Sequence, residues 1–316
     1  MAKALTNLNL GPFILREMIG SGGVAEVYRA DHRDDTGRDA GKQYAVKVMR
    51  PERAAEKQQV KNFLEEYDTI SRLTHPSIPV GRRRGEIDGR PAFAMDLVPG
   101  RNLASLQAQP QAYPAVSCLA ELCSVVAFLH QQDIIHNDIK LENCTLHTDG
   151  HLVLLDYGSI RFSRRTSLFQ KLLPRAQPKM IFGTATYLAP ELILGKRPTF
   201  RTDVYALGVC AFYLLTGKPP FNETRESGRL QANLKHAPPS IAARLPDIHP
   251  TVAAILDRCL AKDPADRPAA ATEVHAAAKL HLDKLRESSV QRARTARTHK
   301  TPTSLRATLD TGRTPT

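Results

Sequence analysis

The apolar pattern of this chain changes period once, at Pro99-Gly100, and that change narrows the folds open to it. Ahead of it, runs rich in Val, Ile, Tyr and Phe at 13–19, 25–31 and 43–49 are broken by Gly and Asp clusters (SGG; DDTGRDAG). That is the pattern of short strands joined by turns. One stretch breaks the rule: 52–73 places Val60, Phe63, Leu64, Tyr67, Ile70 and Leu73 at three-four spacing, a helix ended by His75-Pro76. Two more strands flank Asp88-Gly89, the second ending in AFAMDLV at 92–98. Beyond the boundary, 115–132, 203–216, 250–260 and 270–285 read as helices, interrupted by one hairpin at 144–155 that turns at Asp149-Gly150. The fold class predicted is α+β. A short extension (1–10) precedes a small antiparallel sheet lobe with one key helix (11–98), and a larger, mainly α-helical lobe follows (99–283).

Charge and composition exclude several functions. The 316 residues carry a net charge of +12, but residues 284–316 hold eight Lys/Arg against two acids, so half of that charge lies at one end. This basic, Thr/Arg-rich end has few large apolar residues and is expected to be a disordered tail. It has no Phe, Tyr or Trp, so it offers no stacking platform, and a nucleic-acid partner is not expected. The five cysteines are scattered without a CxxC pair, which argues against a disulfide framework or a structural zinc. The most apolar stretch, 206–215, is far short of the ~20 residues of a membrane span. The N-terminus lacks the apolar core of a secretory signal, so a cytoplasmic location is expected.

Three clusters carry chemistry. In Gly20-Ser21-Gly22-Gly23, glycines between two strands let backbone N–H groups approach phosphate oxygens. Lys47 sits inside an apolar strand and needs a carboxylate partner, either Glu66 or its neighbour Glu65. The densest run, 135–143 (IHNDIKLEN), is followed thirteen residues after Asn143 by Asp156-Tyr157-Gly158. Phosphoryl transfer needs a carboxylate to take the proton of an attacking hydroxyl, a cation at the transferred group, and oxygen ligands for a hard cation. Asp138, Lys140, and the pair Asp156 and Asn143 match those needs.

With GSGGVAEVYRA, AVK, HNDIKLEN, DYG, GTATYLAPE (183–191), DVYALGV (203–209) and KDPADRP (262–268) in order, the chain resembles the Hanks-type serine/threonine protein kinase family, bacterial-like, over about 11–275. The resemblance implies a bilobal protein kinase fold, ATP with Mg²⁺ (or Mn²⁺), and protein substrates. By position it implies Asp138 as base, Lys140 at the γ-phosphate and Thr184 bonding near them. Asn143 and Asp156 become the metal ligands, and Lys47 paired with Glu66 holds the other phosphates. The nucleotide site takes Ile19, Gly20, Ser21, Gly22, Gly23, Val27, Ala45, Met95, Asp96, Val98 and Thr145. Glu191 with Arg267 is implied to anchor the end of an activation segment spanning 156–191, and Asp203 to brace the catalytic loop. Lysine two positions after Asp138 is the Ser/Thr pattern.

The departures are Ala25 for the third glycine, Leu141 for a proline, Thr145 for an aliphatic residue under adenine, and Asn137 for the arginine beside the base. Tyr157 replaces a phenylalanine, its hydroxyl expected to find a polar partner. Cys118, Cys123, His130 and His136 read as packing or bracing residues. Arg82-Arg83-Arg84 reads as a solvated strand face, with substrate docking as the alternative. An acidic partner is expected for the basic tail or activation segment. The rival functions are a pseudokinase scaffold and a small-molecule phosphotransferase of related fold.

Overall fold

Alternation along two neighbouring strands decides how the first lobe is built. Val46 and Val48 pair with Ala94 and Ala92 and are buried on one face, while Ala45 and Lys47 pair with Met95 and Phe93 on the other. The computed structural model describes residues 5–34, 42–106, 115–163 and 184–298. Its main sheet is antiparallel, in the order β1 (Asn9–Leu10), β2 (Phe13–Ser21), β3 (Ala25–His32), β4 (Tyr44–Met49), β6 (Arg90–Asp96), β5 (Gly81–Ile87). Between β4 and β5 lie α1 (Pro51–Ala54) and α2 (Lys57–Ile70), which together replace the single helix expected over 52–73. Pro51 starts the first with no N–H to lose, and Glu56 then turns extended (φ −90°, ψ 99°) and restarts the helix. The restart lets α2 bury Phe63, Glu66 and Ile70 together.

The opposite face of the sheet corrects the expected boundary at residue 11. Tyr28, Ala30, Tyr44, Val46, Val48, Ala92 and Ala94 form a second core with Leu5 and Leu10, both almost fully buried. Residues 5–10 are part of the lobe because without them this apolar face would meet water.

The second lobe begins with β7 (Gly100–Asn102), α3 (Leu103–Leu106), α4 (Ala115–Gln131) and β8 (Ile134–Ile135). The hairpin β9 (Cys144–His147) and β10 (Leu152–Leu154) follows, with β7 paired to β9, then β11 (Arg161–Phe162) paired to β8. A Cβ at Gly100 would overlap the Leu146 carbonyl, so only glycine lets β7 lie this close to β9. Helices α5 (Pro190–Ile193), α6 (Phe200–Thr216), α7 (Glu226–Lys235), α8 (Pro250–Cys259) and α9 (Ala271–Thr298) complete the chain.

Helix α6 is buried almost all round and is the axis of this lobe. A reciprocal Thr199–Thr202 capping box starts it three residues earlier than expected, and Gly217 (φ +72°) ends it. Gly208 lets α8 approach, since a Cβ there would lie 2.7 Å from the Cβ of Cys259. All five cysteines are buried and unpaired, and burial pushes the thiols of Cys118 and Cys259 up to about 12.

Helix α9 corrects the expectation of a disordered tail from Lys284, because it continues to Thr298. Its first turns are anchored on α4, and residues 284–298 contain no Gly or Pro, so each added residue extends an existing nucleus at little cost. The rest of the expected tail lies outside the described residues. Among those described, no helix is long and apolar enough to cross a membrane.

A buried ion pair ties α5 to the loop before α9. Arg267, 1% exposed, makes two 2.8 Å bonds to the Glu191 carboxylate and further bonds to the carbonyls of Ala261, Arg201 and Lys262. Thr202 Oγ1 donates to the same carboxylate at 2.9 Å. Both charges are held by several partners, so removing one strands the other. Arg267→Ala is expected to lower stability by about 3–5 kcal/mol, measured by urea unfolding.

Candidate active site

A carboxylate at the start of α6 shapes the loop that follows β8. Asp203, 1% exposed, accepts the backbone N–H groups of His136 and Asn137 at 2.8 Å each. Its third partner is His130 Nε2 at 3.0 Å. The Nδ1 of that ring accepts the N–H of Ala271 at 3.1 Å, which settles the tautomer with the proton on Nε2. The sequence marks His130 as a packing or bracing residue without naming Asp203 as its partner; its place in the last turn of a buried helix is the only local signal. Asn137 is held at φ +66°, a region that Asn enters more readily than most residues. Its side-chain Nδ2 reaches the carbonyl of Ser159 at 3.3 Å.

The loop then sets three polar groups side by side. Lys140 Nζ lies 2.8 and 3.0 Å from the two oxygens of Asp138. Asn143 Nδ2 donates to the Asp138 carbonyl at 2.8 Å and to its carboxylate at 3.2 Å, leaving Oδ1 for a cation. Asp156, just past β10, sits at φ +63° with its side chain 49% exposed.

From the sheet lobe, Lys47 Nζ lies 2.8 Å from both oxygens of Glu66 and 3.5 Å from Asp156. Glu66 is the partner; Glu65 is turned away, half-exposed beside Lys61 at 3.9 Å. Burial works against the Lys47 charge, but the carboxylates of Glu66 and Asp156 outweigh it and hold its pKa above the ordinary value. At Glu66 burial dominates and lifts the carboxyl above its usual range. The charge of Lys47 holds Asp156 below the ordinary carboxylate value.

Above these charges lies the glycine-rich turn. Strand register aligns Gly20, Val27, Lys47 and Phe93 across four strands. A Cβ at Gly23 would meet nothing within 4 Å, and none of the turn glycines has positive φ, so the fold itself does not demand glycine there. The open space suits close approach by phosphate oxygens. Arg50 donates to the Gly22 carbonyl at 2.7 Å and to Ser21 Oγ, and Arg53 to the Gly23 carbonyl at 3.1 Å. Neither arginine was singled out from sequence, since helix-entry arginines carry no pattern of their own.

Around the remaining cleft, Ala45 is buried opposite Met95, Thr145 is buried in β9, and Ile19 is exposed. Asp96 turns its carboxylate to Arg82 at 2.5 and 2.8 Å and donates its N–H to the Val80 carbonyl at 3.0 Å, which leaves its own carbonyl to face a ligand. Val98 lies between β6 and β7, half-buried. Arg84 pairs with Asp68 at 2.7 Å, so the arginine run is engaged within the lobe at both ends. Thr184 begins a 3-10 turn (Thr184–Tyr187); its side chain and residues 164–183 lie outside the described residues. Tyr157 corrects one expectation. Its ring packs edge-on against His136 at 5.0 Å, and its hydroxyl has no partner among the described residues. The space is shaped for a phenyl ring, and a polar tip there is desolvated without compensation.

The donor set of Asn143 Oδ1 and the Asp156 carboxylate is all oxygen and suits Mg²⁺ completed by phosphates and water. The family model for the protein kinase domain matches residues 13–277. The chain belongs to the protein kinase family. It is 31% identical over 293 residues to a probable serine/threonine-protein kinase of Corynebacterium efficiens, covering 89% of this chain and 42% of that one. It is 32% identical over 265 residues to serine/threonine-protein kinase PknF of Mycobacterium tuberculosis, covering 81% and 53%. The chain therefore spans about half the length of the curated relatives it matches. The crystal structure of a single-site mutant of the PknI kinase domain of Mycobacterium tuberculosis superposes with a TM-score of 0.62 at 30% identity, covering 89% of this kinase and all of that chain. The sheet lobe and helical lobe are thus the two lobes of a bacterial Hanks-type kinase.

The Lys47–Glu66 contact gives a direct test. Glu66→Gln weakens a buried charged hydrogen bond and is expected to cost about 1.5–3 kcal/mol in urea unfolding, whereas Glu65→Gln should stay within about 0.5 kcal/mol.

Proposed function

We propose that this kinase transfers the γ-phosphoryl group of ATP to serine and threonine hydroxyls of protein substrates, in the cytoplasm. The observation that carries the reading is the meeting of two charge sets across one cleft, Lys47–Glu66–Asp156 and Asp138–Lys140–Asn143. Asp138 takes the proton of the attacking hydroxyl. Lys140, already at its side, balances that carboxylate and then faces the charge of the transferred group. Lys47, kept charged by its two carboxylates, holds the other phosphates, and the glycine-rich turn at 20–23 closes over them. Asn143 and Asp156 would hold Mg²⁺ (or Mn²⁺), which neutralises phosphate charge when bound. Five unpaired buried thiols suit a reducing compartment.

A pseudokinase scaffold would not need all six groups in register. A small-molecule phosphotransferase would not need the Glu191–Arg267 tie that supports the segment after Thr184. Autophosphorylation belongs to the same proposal: Thr295 and Thr298 lie on the last turns of α9, while Thr301, Thr303 and Thr308 lie outside the described residues. An acidic partner or substrate for the basic segment 161–179 completes it.

Asp156→Ala is expected to abolish transfer to a protein substrate with the fold intact by circular dichroism. Asp138→Asn should lower the rate by roughly 10²–10⁴, the worth of a positioned base. Near wild-type turnover in either folded variant would overturn these roles.

Asn137 supports basal activity without a phosphorylated activation segment. It ties the loop to Ser159 with a neutral amide, so there is no cation at this position for a phosphate to neutralise. Alanine at Ser163, Thr166 and Ser167 together is expected to leave the rate within about threefold, under ~0.7 kcal/mol of barrier. A hundredfold loss rescued by glutamates would show a phosphate switch.

A further inference from the structure

The β9–β10 hairpin holds Asn143 and Asp156 at its open end and a second cluster of ligand atoms at its closed end. His147 ends β9, His151 precedes β10, and Asp149 lies in the turn between them. The closing geometry is tight. His147 N–H donates to the His151 carbonyl at 2.8 Å, Gly150 N–H to the His147 carbonyl at 2.9 Å, and Gly150 takes φ +97°. As cross-strand neighbours the two imidazoles share a face, and their rings stack at 4.6 Å. The Asp149 carboxylate turns back between them: its Oδ1 lies 2.9 Å from His147 Nδ1, contacts His151 Nδ1, and accepts the His151 N–H at 3.2 Å. One ligand atom from each residue falls within 4.8 Å of the other two.

The hydrogen bonds at this point compete. The backbone N–H of Asp149 donates to His147 Nδ1 at 3.2 Å, which needs a lone pair there, and that same nitrogen faces the carboxylate oxygen. One ring nitrogen cannot serve both contacts at once.

We propose that the hairpin tip binds one late first-row divalent cation, of which Zn²⁺ is the redox-inert case, through a ring nitrogen of His147, a ring nitrogen of His151 and a carboxylate oxygen of Asp149. Two imidazoles and one carboxylate select this class over Mg²⁺ and Ca²⁺, which prefer oxygen throughout. The side chains of His147, His151 and Asp149 are 24%, 35% and 60% exposed, so an ion can enter and water can complete its shell. The site is separate from the catalytic cleft: three residues of β9, Cys144 to Leu146, lie between His147 and Asn143, a separation of roughly 13 Å along the strand. It is tied to the lobe boundary, because Thr148 N–H donates to the Pro99 carbonyl at 3.0 Å and His147 pairs with Gly100.

The test uses the full chain stripped with a chelator. Zn²⁺ is titrated by calorimetry in excess Mg²⁺, and Co²⁺ is titrated in parallel for its visible absorption. One Zn²⁺ per chain, a rise in Tm with Zn²⁺, and a Co²⁺ spectrum with imidazole ligation are expected. The chain has 11 histidines, so the variants decide the location. His147→Gln with His151→Gln should lose more than about tenfold in affinity, while His275→Gln on α9 should change nothing. Asp149→Asn, which keeps the turn, should weaken binding in the same direction and serves if the double variant fails to fold. Undiminished binding in the folded variants, or no saturable binding by the wild-type chain, would overturn the site.

Discussion

The Asp203 carboxylate is the interaction on which the rest depends. It is buried in the first turn of the central helix, where a negative charge is favoured by the helix dipole, and it is satisfied by three N–H donors. Two of those donors are consecutive backbone groups of the loop, so the charge dictates the path of the chain at Asn137 and thereby where Asp138, Lys140 and Asn143 point. Through His130 the same carboxylate reaches the N-terminus of α9. One desolvated charge couples the loop to three helices, and none of its ligands can leave without stranding it.

Assembly of the cleft is the second electrostatic problem. Lys47 and Glu66 come from a strand and a helix of the first lobe, whereas Asp156 follows a hairpin of the second. Burial raises the cost of each charge alone and strengthens their attraction together. The break at Glu56 matters here, because it frees α2 to set Glu66 against Lys47 independently of α1. Helix α1 in turn directs Arg53 to the glycine-rich turn, while Arg50 at its N-cap holds Ser21 and Gly22.

The same hairpin that joins Asn143 to Asp156 ends in His147, Asp149 and His151, and it bonds to Pro99 at the lobe boundary. A cation at the tip would therefore stiffen an element that touches both the lobe boundary at Pro99 and the loop. Small rigid elements of this sort transmit a local ordering event because their backbone bonds leave no slack.

Much of this was legible without coordinates. The change of apolar period at Pro99-Gly100 separated the lobes, and the motif residues lay at spacings that short loops preserve, so Asp138, Asn143, Asp156 and the choice between Glu65 and Glu66 were already in view. Lys47, a charge inside an apolar strand, already required a carboxylate partner. Packing decided the rest. Residues 5–10 carry no motif, and only the bare outer face of the sheet shows why Leu5 and Leu10 are buried. The run after Lys284 looked like a tail because it lacks apolar residues, yet a helix already nucleated on α4 needs none to continue. His130, Arg50, Arg53 and the crossed hydrogen bonds at His147 depend on distances between segments far apart in the chain, or on one rotamer in a turn. Local pattern determines what each segment is. Which polar groups meet across segments is settled only when burial forces every charge to find a partner.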